Sequence, residues 1–141
     1  MINNSGGVFF YAENTERFLY LLRSDPKNQG NWGIPGGKIE KNETLYEGVK
    51  RECIEELNYF PTDAKLIPIQ KFINKQFVYH TFFCKIKDEF IPTLNEEHTG
   101  WAWISSGQWP KPMHPGLWST VNFDAVKYKI ETMERLVQTS Q

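Results

Sequence analysis

Gly37-Lys-Ile-Glu-Lys-Asn-Glu43-Thr-Leu-Tyr-Glu-Gly-Val-Lys-Arg51-Glu52-Cys-Ile-Glu55-Glu56-Leu-Asn58-Tyr59 reads as a glycine turn followed by a helix. Thr44 and Glu47 form a capping box, in which the hydroxyl takes the third helical amide and the carboxylate reaches back. Leu45, Val49, Cys53 and Leu57 recur every four residues and give a core-facing stripe. Asn58 tolerates the left-handed conformation that ends a helix, and Pro61 prevents continuation. Beside the apolar stripe stand Glu52, Glu55 and Glu56 at i, i+3 and i+4, where side chains are neighbours. Each like-charge pair disfavours a helix by about 0.2–0.5 kcal/mol. Only Arg51 is close enough in sequence to offset them, so an external cation is expected. Carboxylate oxygens suit a hard ion, Mg²⁺ or Mn²⁺. The alternative is a solvated acidic face. Gly48 costs about 1 kcal/mol relative to Ala inside a helix, which a close approach of the glycine turn would explain.

Working outward, Val8–Tyr11 and Phe18–Leu22 read as strands across a polar turn at 13–16. A loop follows from Asp25 to Asn31, and Trp32-Gly-Ile-Pro-Gly36-Gly37 makes a tight turn directly before the helix, where glycines permit close approach. Ala64–Ile73 and Phe77–Ile86 read as an antiparallel pair turning at 74–76, and Trp101–Ile104 as a further strand. A proline-rich loop over 109–116 leads to a last helix with Val126, Ile130, Met133 and Val137 on one face. Helices separated by strand pairs imply an α/β (α+β) layered fold.

The 141 residues, 40% hydrophobic and 15% aromatic, suit one domain over 1–141. Lys+Arg 16 against Asp+Glu 17 leaves a net charge of −1 and no electrostatic footprint for nucleic acid. Cys53 and Cys84 lack metal spacing and read as free thiols in a reducing compartment. The opening Met-Ile-Asn-Asn-Ser lacks the pattern of a signal peptide, and no run reaches membrane-spanning length, so a cytoplasmic protein without a membrane partner is expected. A homodimer is left open.

The helix and its turn resemble the Nudix box: glycine, five residues, Glu, seven residues, Arg-Glu, an aliphatic residue, any residue, Glu-Glu, any residue, glycine, an aliphatic residue. Gly37, Glu43, Arg51-Glu52 and Glu55-Glu56 match. Cys53, Asn58 and Tyr59 depart from it without touching the acidic set. The resemblance implies an α/β/α sandwich with a mixed central sheet and a Mg²⁺- or Mn²⁺-dependent hydrolase. Its substrate is a small nucleotide, a nucleoside diphosphate linked to another group, attacked by water at phosphorus. It implies Glu52, Glu56 and the Gly36 carbonyl as metal ligands, Glu55 as a further ligand or base, and Glu43–Arg51 as a structural ion pair. Glu97, just before His98, matches an additional carboxylate ligand of many relatives.

A narrower run, Arg23, Gln29-Gly-Asn-Trp32, Pro35-Gly36-Gly37, Lys41 and Glu43-Thr-Leu45, resembles GDP-mannose mannosyl hydrolases, which attack sugar carbon with a His as base. That resemblance implies His98 as the base, whereas the complete box favours phosphorus. Arg23 and Lys38 flank the glycine turn and are candidates for phosphate contacts. Trp32 and Tyr79 either stack on a base or belong to the core. His114 lies between prolines as a loop or substrate residue. A module that senses a nucleotide without cleaving it would carry a degraded acidic set, and this one is intact.

Overall fold

The computed structural model describes residues 3–27, 29–115, 117, 121 and 124–139. Its organising strand is β1 (Asn3–Ala12), whose last seven residues, 6–12, are all buried. Such a strand must be covered on both faces. Val8, Phe10 and Ala12 join one core cluster and Phe9 and Tyr11 the other, as alternation along a strand requires. β2 (Arg17–Arg23) divides in the same way, with Leu19 and Leu21 on the first side and Phe18 and Tyr20 on the second.

Among the described residues seven strands make one mixed sheet. The others are β3 (Trp32–Gly33), β4 (Gly36–Lys38), β5 (Ile67–Ile73), β6 (Phe77–Ile86) and β7 (His98–Ser105). The order is β3-β2-β1-β6-β5, with β4 against β1 and β7 against β2. β1 and β6 run parallel from Asn3 opposite Phe77 to Ala12 opposite Ile86, whereas the other pairs are antiparallel. Helix α1 (Leu45–Leu57) covers the first face through Val49, Cys53 and Leu57. Helix α2 (Asp124–Thr139) covers the second through Val126, Ile130 and Val137, with Met133 packed alongside. This is the expected α/β/α sandwich.

The punctuation of α1 is as read. Thr44 Oγ1 accepts from the Glu47 amide at 3.1 Å, Glu47 Oε1 accepts from the Thr44 amide at 2.8 Å, and Asn58 is left-handed at φ 54°. Asn74 Oδ1 accepts the amides of Gln76 and Phe77 and closes the β5–β6 turn. Both cysteines are free and buried, and no helix among the described residues is long and apolar enough to cross a membrane. Met1, Ile2 and Gly116, on which parts of the signal-peptide and loop readings fell, lie outside the described residues.

Several boundaries differ from expectation. β1 begins at Asn3, not Val8, because polar residues at the sheet's end still find backbone partners on β6. β5 begins three residues later than read, at Ile67. Residues 32–33 and 36–38, read as turn, are short strands. β7 begins at His98, three residues earlier than read, so His98 belongs to a strand and not a loop.

β4 is the element that positions the site. Gly6 pairs with Gly37 and Gly7 with Gly36, so four residues without side chains face one another. A Cβ on Gly37 would stand 2.5 Å from Glu52 Oε2, and one on Gly6 2.7 Å from Val49 Cγ2. Gly48 is explained by Ile39, whose Cδ1 would lie 2.7 Å from its Cβ, and not by the glycines themselves. Gly36 has φ 147°, and a Cβ there would overlap the Gly6 carbonyl and the Gly7 backbone. Gly36→Ala is therefore expected to lower stability by at least ~3 kcal/mol, measured by urea unfolding, since backbone strain and a backbone clash coincide.

Candidate functional site

Glu52, Glu55 and Glu56 of α1 have three different fates. Glu55 is exposed and pairs with Arg51 Nη1 at 3.1 Å. Glu52 lies partly buried against Gly37 and also meets Arg51 Nη1 at 3.1 Å. Glu56 is 4% exposed and points inward, where its Oε1 accepts the Gly36 N–H at 2.7 Å. The apolar stripe held the signal for this: Glu56 stands three residues after Cys53 and seven after Val49, on the stripe's border.

Arg51 organises the outer half. Its Nε and Nη2 hold Glu43 at 2.6 and 3.0 Å, and Nη2 also donates to the Lys38 carbonyl at 3.0 Å. The fork thus ties β4, the 39–43 loop and α1 together. Its hydrogen bond holds the Glu43 carboxyl below its ordinary pKa.

The inner half is a meeting of Glu56, Glu97 and His98, whose potential ligand atoms all lie within 4.8 Å of one another. His98 is 5% exposed, and its Nε2 is 3.6 Å from Glu56 Oε2, too long for a hydrogen bond. Burial, with Glu52 and Glu97 adding to it, pushes the Glu56 carboxyl up to about 8. Burial, with Arg23 adding to it, pushes His98 down to about 4. Both groups are therefore neutral at pH 7, and their contact is not an ion pair. Glu52 is also raised, first by burial and then, against the Arg51 hydrogen bond, by Glu55 and Glu97. Oxygen-rich donors, half-neutralised only by protonation, fit a divalent cation.

Gly36 meets this face through its amide, whereas the expected ligand was its carbonyl. Arg23 pairs with Asp25 at 2.8 Å and stands opposite His98 across the β2–β7 pair, which brings it to the acids. Lys38 is exposed, and its carbonyl serves Arg51. Tyr79 is held near by Gly7, where a Cβ would overlap its hydroxyl, and burial first and Glu56 second raise its phenol. Trp32 packs on the second core, and its backbone bonds to Pro112 and His114 at 2.8 Å. His114 is thereby placed near Arg23, with burial as the main cause of its lowered pKa. The Gly6-Gly7 pair carries the site and was not singled out from sequence, because its reason is a contact with residues thirty positions away.

A layered fold of this kind, with an acidic helix clamped to a glycine turn by an arginine, defines a class of hydrolases. Residues 3–122 match the NUDIX domain, and the chain belongs to the Nudix family. It is MutT-like and hydrolyses phosphoric anhydride bonds. A Bacillus subtilis protein assigned as an 8-oxo-dGTP diphosphatase is 27% identical over 116 residues, covering 82% of this chain and 76% of that protein. The dihydroneopterin triphosphate diphosphatase of Haemophilus influenzae is 29% identical, covering 74% and 75%. The crystal structure of a MutT Nudix hydrolase from Burkholderia pseudomallei superposes with a TM-score of 0.70 at 22% identity, covering 90% of this chain and 97% of that one.

The buried acid makes stability pH-dependent. Glu56 titrates near 4.5 in an unfolded chain and near 8 when folded, so between these values the folded state keeps a proton that the unfolded state has lost. Stability then falls as pH rises. His98, depressed from 6.5 to about 4, acts oppositely but only below pH 6.5. From pH 6.5 to 8 in chelator, stability should drop by about 2 kcal/mol. Urea unfolding of Glu56→Gln in the same window should show no such slope, and an equal slope in both proteins would contradict the assignment.

Proposed function

We propose that this chain is a Mg²⁺- or Mn²⁺-dependent pyrophosphohydrolase of a small nucleotide, with water attacking phosphorus. The observation that carries this is the buried Glu56 facing Glu97 and His98. Glu52, Glu56 and Glu97, with the carbonyl of Gly36, would hold the cation, and Glu55 is a further ligand or base. When bound, a divalent cation neutralises phosphate charge and lowers the pKa of water toward neutrality.

The chain's own groups do the rest. Arg51 keeps Glu52 and Glu55 in place and the glycine turn against the helix. Arg23 and Lys38 supply positive charge for the phosphates, as phosphoryl transfer needs charge stabilisation and alignment more than covalent help. Tyr79 and His114 both feel the charge of Arg23 and are the groups we assign to the rest of the substrate, while Trp32 packs on the core. Neutral His98 packs against Glu56, which the Gly36 amide orients.

The descriptions of the Bacillus and Haemophilus relatives support a triphosphate on a heterocyclic compound as substrate. A panel of GTP, 8-oxo-dGTP, dihydroneopterin triphosphate and GDP-mannose, assayed with and without Mg²⁺, tests the proposal. Metal-dependent release of pyrophosphate from a triphosphate supports it. Binding without turnover of any compound would indicate a nucleotide-sensing module.

Glu56→Gln should lower turnover by roughly 10²–10³-fold or more, the range for losing one preorganised electrostatic group, while the protein stays folded. Full activity with Mg²⁺ would refute the ligand role. Millimolar Mg²⁺ or Mn²⁺ should raise the wild-type melting temperature, reversibly with chelator.

A second reading has one observation in its favour: at pH 7 His98 is in the neutral form that a general base requires. Hydrolysis of GDP-mannose in ¹⁸O water separates the two. Label in phosphate marks attack at phosphorus, and label in the sugar, with activity lost in His98→Gln, marks attack at carbon.

A further inference from the structure

β2 and β7 pair regularly from Arg17 opposite Ser105 to Leu22 opposite Gly100, and then the register slips so that Arg23 meets His98 and Thr99 is left over. Bulges of this kind re-aim side chains next to active sites. The pairing continues past the bulge. The Ser24 amide donates to the Glu97 carbonyl at 2.9 Å, and its hydroxyl donates to the Glu96 carbonyl at 2.8 Å. Asp25 Oδ1 accepts from Arg23 Nε at 2.8 Å, with the two side chains 23% and 31% exposed. Behind them the loop is closed on itself, as the Arg23 amide donates to Asn31 and the Gly30 amide to Arg23.

On its other side the acidic segment is held by Asn95, whose Oδ1 accepts from the Glu97 amide at 3.1 Å. That turn fixes the segment's shape, and Ser24, next to the Arg23–His98 pair, adds two hydrogen bonds that set its distance from β2's end. A guanidinium anchored through Nε has lost much of its rotational freedom before a ligand arrives, which is the preorganisation that binding and catalysis reward.

We infer that Ser24 and Asp25 are positioning residues for the hydrolysis: Ser24 straps the segment carrying Glu97 and His98, and Asp25 sets the Arg23 guanidinium. One dipeptide thereby fixes the phosphate-binding cation relative to the acidic cluster. The inference rests on the roles given above to Glu97 and Arg23, and it assigns neither Ser24 nor Asp25 a contact with the reacting atoms.

The two halves have separate readouts. Ser24→Ala keeps the amide contact but loses the hydroxyl, and should weaken Mn²⁺ binding to the protein alone about 10-fold, the lower range for outer partners of ligands. The measurement is the free-Mn²⁺ electron paramagnetic resonance signal, and Ser24→Thr should restore wild-type binding. Asp25→Ala should lower kcat/KM about 10-fold with Mn²⁺ binding unchanged, because it frees Arg23 without moving the acids, and Asp25→Glu should restore it. Glu97→Gln serves as the control. If it weakens Mn²⁺ binding and Ser24→Ala does not, the strap is overturned while the metal assignment stands. If Glu97→Gln leaves binding unchanged, the assignment of Glu97 fails and the strap's purpose with it. An Asp25→Ala variant that keeps the wild-type kcat/KM, or loses only melting temperature, overturns the second half.

Discussion

Backbone meets backbone without side chains where β1 crosses β4, and the distance between helix and sheet follows from that contact. Gly6 and Gly7 face Gly37 and Gly36, so α1 can lie close enough for Glu56 to accept a main-chain N–H of the turn at 2.7 Å. Any Cβ on Gly37 would displace Glu52. Glycine weakens strands and loses more entropy on folding than other residues. The loss is borne by the rest of β1, which is buried on both faces and feeds both core clusters. A weak spot at the strand's beginning is thus held by a stretch at its end that is buried on both faces.

The acidic face of α1 would be self-repelling if all its carboxylates were charged and solvated alike. Two different devices relieve it. Arg51 gathers Glu43, Glu52 and Glu55, the partly buried and exposed members, into one fork. Glu56, out of the fork's reach, is relieved by holding its proton against burial. The like-charge cluster is therefore split into a paired outer part and a protonated inner part. In the inner part a proton stands where a cation could, and it is this part that faces Glu97 and His98.

What the sequence made legible follows the range of the interactions involved. The capping box, the left-handed Asn58 and the four-residue apolar stripe are local, and α1 was readable almost residue by residue. Strands with β-branched and aromatic runs were readable in kind but not in extent, because Asn3 and Ser5 pair in the sheet for reasons set by β6 and β4. β3 and β4 were not readable as strands, since two or three residues carry no period. Within the site, the acids on α1 were visible as a group, and Glu97 and His98 through their resemblance to a known pattern. Their division of labour was not visible. It depends on how far α1 is rolled on the sheet, and on a one-residue register slip that carries His98 opposite Arg23.

The same roll couples folding to chemistry. Turning α1 so that Val49, Cys53 and Leu57 are fully buried necessarily carries the bordering Glu56 in with them. A helix rolled the other way would leave the acid in water with an ordinary pKa, and its apolar stripe half exposed. Burial of three apolar side chains, each worth about 1.5–3 kcal/mol, outweighs the few kcal/mol of a carboxyl kept protonated. The fold therefore drives the acid to where a cation would be welcome. A group that binds there in place of the proton adds its binding energy to stability. The site is in this sense a region of deliberate local misfit, held by consistency everywhere around it.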